Sequence, residues 1–208
     1  MKKALLIVAV LALVCAVAFA ENLVKFGDME SGKATDWTEE DSILKYDAGK
    51  GIDGSTAMLV RNKEEWSGLA LNVTNIIDRT KSYYVECWIK LNNSNSAIAS
   101  ISLEFRPDIV TDYGADDWEG YCYITPDIDL DYEERETTGM EIPVNKKEWV
   151  KISGVIRPED METLIDSHGA EITRPIIGIT CYFKVEQPSK GVKYWVDNVL
   201  IEEIPNID

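Results

Sequence analysis

The chain has 208 residues, with 21 lysines and arginines against 37 aspartates and glutamates, and a formal net charge of −16. So acidic a surface repels nucleic acid and anionic membrane, both of which are bound through lysine and arginine. The composition excludes those partners and suits an exported protein, and one that binds a cation.

Residues 1–20, "MKKALLIVAVLALVCAVAFA", combine two lysines, an apolar run and Ala18-Phe19-Ala20. They predict a secretory signal cleaved after Ala20, with no membrane-spanning segment left behind and a secreted or periplasmic destination of bacterial type. Cys15 is a poor lipid-attachment site because Leu13 and Val14 before it are bulky. Loss of Lys2 and Lys3 with the signal moves the net charge from −16 to −18. Residues 21–208 are long enough for one domain with a real core.

Beyond the signal the dominant period is two. "SGLALNV" sets Leu69, Leu71 and Val73 against Ala70 and Asn72, and "YYVECWIKL" sets Tyr83, Val85, Cys87, Ile89 and Leu91 against Tyr84, Glu86, Trp88 and Lys90. "SISLEFR" places Ile101, Leu103 and Phe105 opposite Ser102, Glu104 and Arg106. An acidic excursion follows, about 107–148, with eleven acids and one base between Pro107 and Thr137. Its "DIDLDYEE" resembles the start of an EF-hand loop, but Tyr132 stands where glycine is needed and Thr138 where a bidentate glutamate belongs. Within the excursion "YCYIT" alternates Cys122 and Ile124 with Tyr121 and Tyr123. "WVKISGVI" is a strand with Val150, Ile152 and Ile156 on one face, and "PEDMETLIDSHG", Pro158 to Gly169, predicts a short helix. "TCYFKVE" sets Cys181, Phe183 and Val185 against Tyr182, Lys184 and Glu186. The final "KYWVDNVLIEEI" puts Asp197 on one side with Trp195, Val199 and Ile201. Such strands, separated by Gly, Asn, Asp and Pro clusters, predict an all-β antiparallel sandwich or jelly roll.

Catalytic motifs are sparse. "GKGIDGST" lacks the lysine of a phosphate-binding loop, having Ser55 in its place. His168 is the single histidine, which argues against a Ser-His-Asp site and excludes a zinc site built from several histidines. No motif identifies the carboxylate pair of a glycoside hydrolase, although acids abound. After signal cleavage Cys87, Cys122 and Cys181 remain, an odd number that reads as buried thiols or as one bridge with one free thiol.

The faces turned away from the core are unusually aromatic: Tyr84, Trp88, Tyr121, Tyr123 and Tyr182 lie among Glu86, Lys90, Glu104, Arg106, Lys184 and Glu186. Flat rings stack on the C–H face of a sugar, while charged side chains bond its hydroxyl rim. The same aromatics also suit cross-strand pairing or packing under the acidic loop.

The opening "NLVKFGDMESG…W" (Asn22 to Trp37) resembles that of carbohydrate-binding modules of the families numbered four, nine and twenty-two. The likeness continues in order through "GIDGSTAMLVRNKEEWSGLALNVT", "KSYYVECWIKL", "KEWVKISGVI" and "YFKVEQPSKGVKYWVDNVLIEE". It implies a jelly roll without catalytic activity that binds a β-linked glucan or xylan on its concave sheet, in company with a glycoside hydrolase in trans. A structural or adhesive surface protein with the same fold and no sugar binding is the alternative. By the resemblance Trp66 is a cleft-edge aromatic; Trp88, Arg106, Tyr182 and Glu186 follow from strand parity, and Tyr123 from its place in the excursion. The excursion is longer than the family leads one to expect, and its charge predicts a preference for neutral chains over polyuronates. The resemblance also implies a structural calcium held by Glu30 and Asp197 with carbonyls of the turn from Gly51 to Ser55. Coordination offsets the cost of a buried carboxylate, as do backbone N–H groups or a lysine, which are the other way to satisfy Asp197.

Overall fold

A computed structural model describes residues 21–65, 67–108, 121–126, 142–186 and 190–206. The signal and most of the acidic excursion lie outside these residues. Two antiparallel sheets form the fold. One has six strands: β1 (Thr38–Glu40), β4 (Gly68–Asn72), β10 (Ile176–Glu186), β6 (Ser96–Pro107) and β7 (Cys122–Ile124) in that order, with β8 (Ile142–Asn145) also on β6. The other has five: β2 (Ser42–Asp47), β3 (Ala57–Asn62), β11 (Lys193–Ile204), β5 (Ser82–Leu91) and β9 (Val150–Ile156). This is the predicted all-β sandwich.

The period of two explains the packing. Phe105, Leu103, Ile101, Phe183 and Cys181 from the first sheet meet Val85, Cys87, Ile89, Tyr194 and Val196 from the second, all 0–1% exposed. Trp37 packs edge-on against Phe183, with ring centroids 6.4 Å apart. The two sheets are also tied by a hydrogen bond: Tyr194 donates its hydroxyl to the Phe183 carbonyl at 3.0 Å. Burial keeps that phenol, and the thiols of Cys87 and Cys181, far above their ordinary pKa values. Cys87, Cys122 and Cys181 are free and buried, as core side chains.

Three features depart from the sequence reading. The helix is shorter: α1 runs only Pro158–Glu162, and Thr163 is already extended. Asp166 instead accepts from His168 and Ala170 N–H, closing a turn that brings Ile165 opposite Glu171. Strands β1, β2, β3 and β8 lie outside the segments that the alternation marks as strands, although in β2 Leu44 is buried and Lys45 exposed. Strand β11 carries a bulge, with a register shift between Asp197 and Leu200 and Asn198 at φ +47°. A bulge inserts one residue and resets the alternation. Tyr194, Val196, Val199 and Ile201 therefore all face the core, while Trp195 and Asp197 face outward. The uniform alternation that put Asp197 beside Val199 and Ile201 is corrected by that single residue.

The N-terminal segment covers the bulge. Val199 N–H donates to the Gly27 carbonyl at 2.8 Å and Leu23 N–H to the Ile201 carbonyl at 2.8 Å. An added Cβ on Gly27 would lie 2.0 Å from the Val199 oxygen, so only glycine permits this approach. Among the described residues no helix is long and apolar enough to cross a membrane.

Candidate functional site

The outer face of the six-stranded sheet has a floor of small residues with long side chains lying on it. Tyr182 on β10 is flanked by Ala70 on β4 and Ser102 on β6. An added Cβ on Gly68 would come 2.8 Å from the Lys184 side chain, and one on Gly178 3.2 Å from the Arg106 guanidinium. Missing side chains thus let Lys184 and Arg106 lie flat along the sheet.

Glu104 is the hub of this face. Tyr182 and Tyr123 both donate their hydroxyls to its Oε2, at 3.0 and 3.1 Å. The three are brought together by register, since Glu104 pairs with Thr180 on one side and with Tyr123 on the other. Farther along, Ser100 donates to Glu186 Oε1 at 2.7 Å. The Lys184 ammonium lies 4.1 Å from the centroid of the Tyr182 ring, a cation–π contact. Tyr182 is consequently only 4% exposed, whereas Tyr123 is 43% exposed and Arg106 is exposed too. Among the described residues the face therefore offers the exposed ring of Tyr123, the Arg106 guanidinium and a Glu104 carboxylate whose Oε1 accepts from neither tyrosine. These groups can stack on a ring and bond hydroxyls.

Arg106, Tyr123, Tyr182 and Glu186 of the sequence-derived set share this face. Trp88 does not. It stands on β5, opposite Asp197 and Lys151, on the outer face of the other sheet. Strands β5 and β6 follow each other with only Asn92–Asn95 between them, yet that link crosses from one sheet to the other. Trp66 lies outside the described residues. The sequence set omitted Glu104, although its parity with Arg106 was visible.

Glu30 and Asp197 meet the same turn. Asp197 is fully buried; its Oδ2 accepts from Ile52 N–H at 2.8 Å and Ser55 hydroxyl at 3.1 Å, and its Oδ1 from Asn198 N–H at 2.8 Å. Glu30 Oε1 accepts from Thr56 N–H at 2.6 Å. Burial raises the Asp197 pKa, those hydrogen bonds oppose the shift, and the charge of Glu30 adds to it. The point where a Cβ on Gly51 would sit is 2.2 Å from Ser55 Oγ and 2.6 Å from both Asp197 Oδ2 and the Thr56 carbonyl. Glycine at 51 leaves a cradle lined by oxygen, the donor chemistry a hard cation requires. The same bonds satisfy Asp197 through backbone N–H groups, the other course left open by the sequence. No group of three or more acidic, histidine or cysteine side chains with metal-binding geometry occurs among the described residues, so carbonyl and hydroxyl oxygens would have to complete a coordination shell.

A family model described as a carbohydrate binding domain matches residues 21–121. Among solved structures, the chain is similar to the CBM22-1 xylan-binding domain of Xyn10C from Paenibacillus barcinonensis, at 15% identity and a TM-score of 0.62, covering 90% of this chain and 97% of that one. The CBM22-2 xylan-binding domain of the same protein gives 16% identity and 0.57, covering 85% and 97%. A Clostridium thermocellum xylanase 10B structure with CBM22-1 and GH10 modules, complexed with xylohexaose, gives 15% and 0.56, covering 85% of this chain but 27% of that longer one. At such identities these structures establish the likeness of fold. No curated protein sequence matches.

Proposed function

We propose that this chain, matched over residues 21–121 by a carbohydrate binding domain model and similar in fold to xylan-binding domains, is an exported, non-catalytic protein that holds a β-linked glucan or xylan chain on the outer face of its six-stranded sheet. The observation that carries the reading is the network on Glu104, where two tyrosine hydroxyls fix one carboxylate oxygen beside the partly exposed ring of Tyr123. Tyr123 stacks on a sugar ring; Glu104 and Arg106 bond its hydroxyls; Tyr182 positions Glu104. Glu186 and Ser100 extend the polar rim. The xylan named for the similar structures favours a neutral β-linked ligand, and a hydrolase acting in trans would supply the catalysis this chain lacks.

Affinity electrophoresis and calorimetry against soluble xylan and β-glucan test this. Dissociation constants of roughly 10 µM to 1 mM are expected, about −4 to −7 kcal/mol, because each hydroxyl contact replaces one to water. Tyr123→Ala should weaken binding by about 1 kcal/mol, and Glu104→Gln should alter which sugar is preferred. No reducing sugar should be released. The covered ring of Tyr182 favours a second reading, a surface protein that has lost sugar binding, and failure of every glycan to bind would establish it.

A structural calcium at the Gly51–Thr56 turn is part of the same proposal, with Asp197, Glu30, Ser55 and the Thr56 carbonyl as the oxygens that fit it. The ion would neutralise two carboxylates that otherwise repel each other. A ligand bound only by the folded state stabilises it by mass action, so chelator should lower the melting temperature by several degrees. Asp197→Asn should remove that difference; an unchanged melting curve in chelator would leave the turn held by its hydrogen bonds alone.

A further inference from the structure

The outer face of the five-stranded sheet has its own pattern, which the glycan reading above does not use. Register places Lys45, Leu59, Trp195 and Lys90 in one row across four strands. In the next row Trp88 faces Lys151. Trp195 and Trp88 are thus diagonal neighbours on adjacent strands, within reach of one another across the sheet. Both are half-buried, as is Trp149 immediately before β9.

Each of the first two indoles is pinned by its N–H. Trp88 donates to Glu86 Oε1 at 3.0 Å, along its own strand. Trp195 donates to Asp47 Oδ2 at 3.2 Å, and Asp47 lies on β2, two strands away with β3 between. An indole that spans a neighbouring strand must lie across the sheet rather than stand up from it. The edge is anchored and the ring remains half-exposed.

The charge of this face opposes that of the molecule. In a chain of net charge −16, Lys45, Arg61, Lys90, Lys151 and Lys193 all fall on this one surface. Its carboxylates are fewer and mostly enclosed: Glu86 and Asp47 hold the indoles and lie 3.9 Å from Lys151 and Lys45, and Asp197 and Glu202 are buried. Arg61, Lys90 and Lys193 form no ion pair among the described residues. Such an island focuses a positive field on a molecule that elsewhere repels anions.

We propose that this face is a second polysaccharide-binding surface, selective for acidic chains of the uronic-acid class, in which Trp195 and Trp88 stack on sugar rings while Lys90, Lys193 and Arg61 bind their carboxylates. A uronic-acid chain combines apolar ring faces with one carboxylate per residue, which matches rings interleaved with separated cations. Nucleic acid carries denser charge and would meet the repulsion of the whole molecule. The preference for neutral chains predicted from the acidic excursion applies to the glycan site proposed on the six-stranded sheet.

Polygalacturonate is the probe. In affinity electrophoresis at low salt it should retard the protein, and the effect should fade as salt rises. Lys90→Gln with Lys193→Gln, which touches no core residue, should weaken binding about tenfold and leave xylan binding unchanged. Trp195→Ala should weaken it comparably and Trp195→Phe should restore most of it, with melting curves confirming folded protein. Absence of retardation at low salt overturns the proposal, as does retention of full affinity in the double lysine variant. Loss on Tyr123→Ala with no loss on Trp195→Ala would overturn it too, by placing the acidic chain on the other face. A face made to hold an acidic protein instead would leave the protein unretarded by polygalacturonate.

Discussion

Glu86 and Glu104 stand on the two outer faces, each serving aromatic donors, and their surroundings differ in one respect that matters. Around Glu86, Tyr84 takes Oε2 at 2.7 Å, Trp88 takes Oε1 at 3.0 Å, and Lys151 lies 3.9 Å away. Both oxygens are spent on the protein, and Tyr84 is 1% exposed within a small cluster with Val155 and Ile204. Around Glu104, both tyrosines converge on Oε2. The first carboxylate is a strut that holds rings in place; the second keeps acceptor capacity for something else. Similar residue types on similar strands thus separate into scaffold and site according to which lone pairs the protein has already used.

Substitution should separate the two roles. The largest effect belongs to a third carboxylate, Asp197, which is more enclosed than either. Asp197→Ala strands the donors of Ile52, Ser55 and Asn198, and should cost about 3 kcal/mol in denaturant unfolding. Its titration has a definite sign. Burial raises the folded pKa above the ordinary 3.8, so the folded chain holds the proton more tightly than the unfolded chain. Stability from this group is full below 3.8 and is lost as pH rises through the folded value. Asp197→Asn should flatten that part of the pH profile in chelator, whereas bound calcium, which favours the carboxylate, should suppress it in the parent. Next, Glu86→Ala should cost about 2 kcal/mol, since it removes the acceptor that the buried Tyr84 phenol and the Trp88 indole share. Glu104→Ala should cost about 1 kcal/mol or less, with loss of xylan binding as its main effect. If Glu86→Ala proves as mild as Glu104→Ala, the distinction between strut and site fails.

Much of the sandwich was legible because each strand buries one face, which the period of two records directly. Val85, Cys87 and Ile89, or Leu103 and Phe105, need no topology to be recognised as core. Membership of a sheet is different. Trp88 and Arg106 each sit opposite core residues on consecutive strands, and nothing local says that Asn92–Asn95 crosses between sheets rather than closing a hairpin. The single outward aromatic set was therefore two sets on two faces. The burial of Tyr182 was likewise invisible, because it depends on Lys184 two residues along its own strand, laid flat by Gly68 on a neighbouring one. That Glu30 and Asp197 both meet the Gly51 turn could not be read from strand parity, which the bulge resets.

That bulge sets which residues each side of β11 presents, and the smallest expected effect tests it. Asn198 is at φ +47°, where most side chains are strained and asparagine and glycine are tolerated. Its side chain is exposed, while its N–H donates to Asp197 Oδ1. Asn198→Gly keeps the N–H and relieves the residual strain, at the cost of greater freedom in the unfolded chain. The two nearly offset, so a change within about 0.5 kcal/mol is expected. Asn198→Val adds a β-branched side chain to the same backbone and should cost about 1–2 kcal/mol, although valine is the better strand former. Were the strand regular, the order would reverse and valine would stabilise it. Equilibrium unfolding of the two variants side by side decides between a bulged β11, with Trp195 and Asp197 outward and Val199 inward, and the unbroken alternation that the sequence suggests.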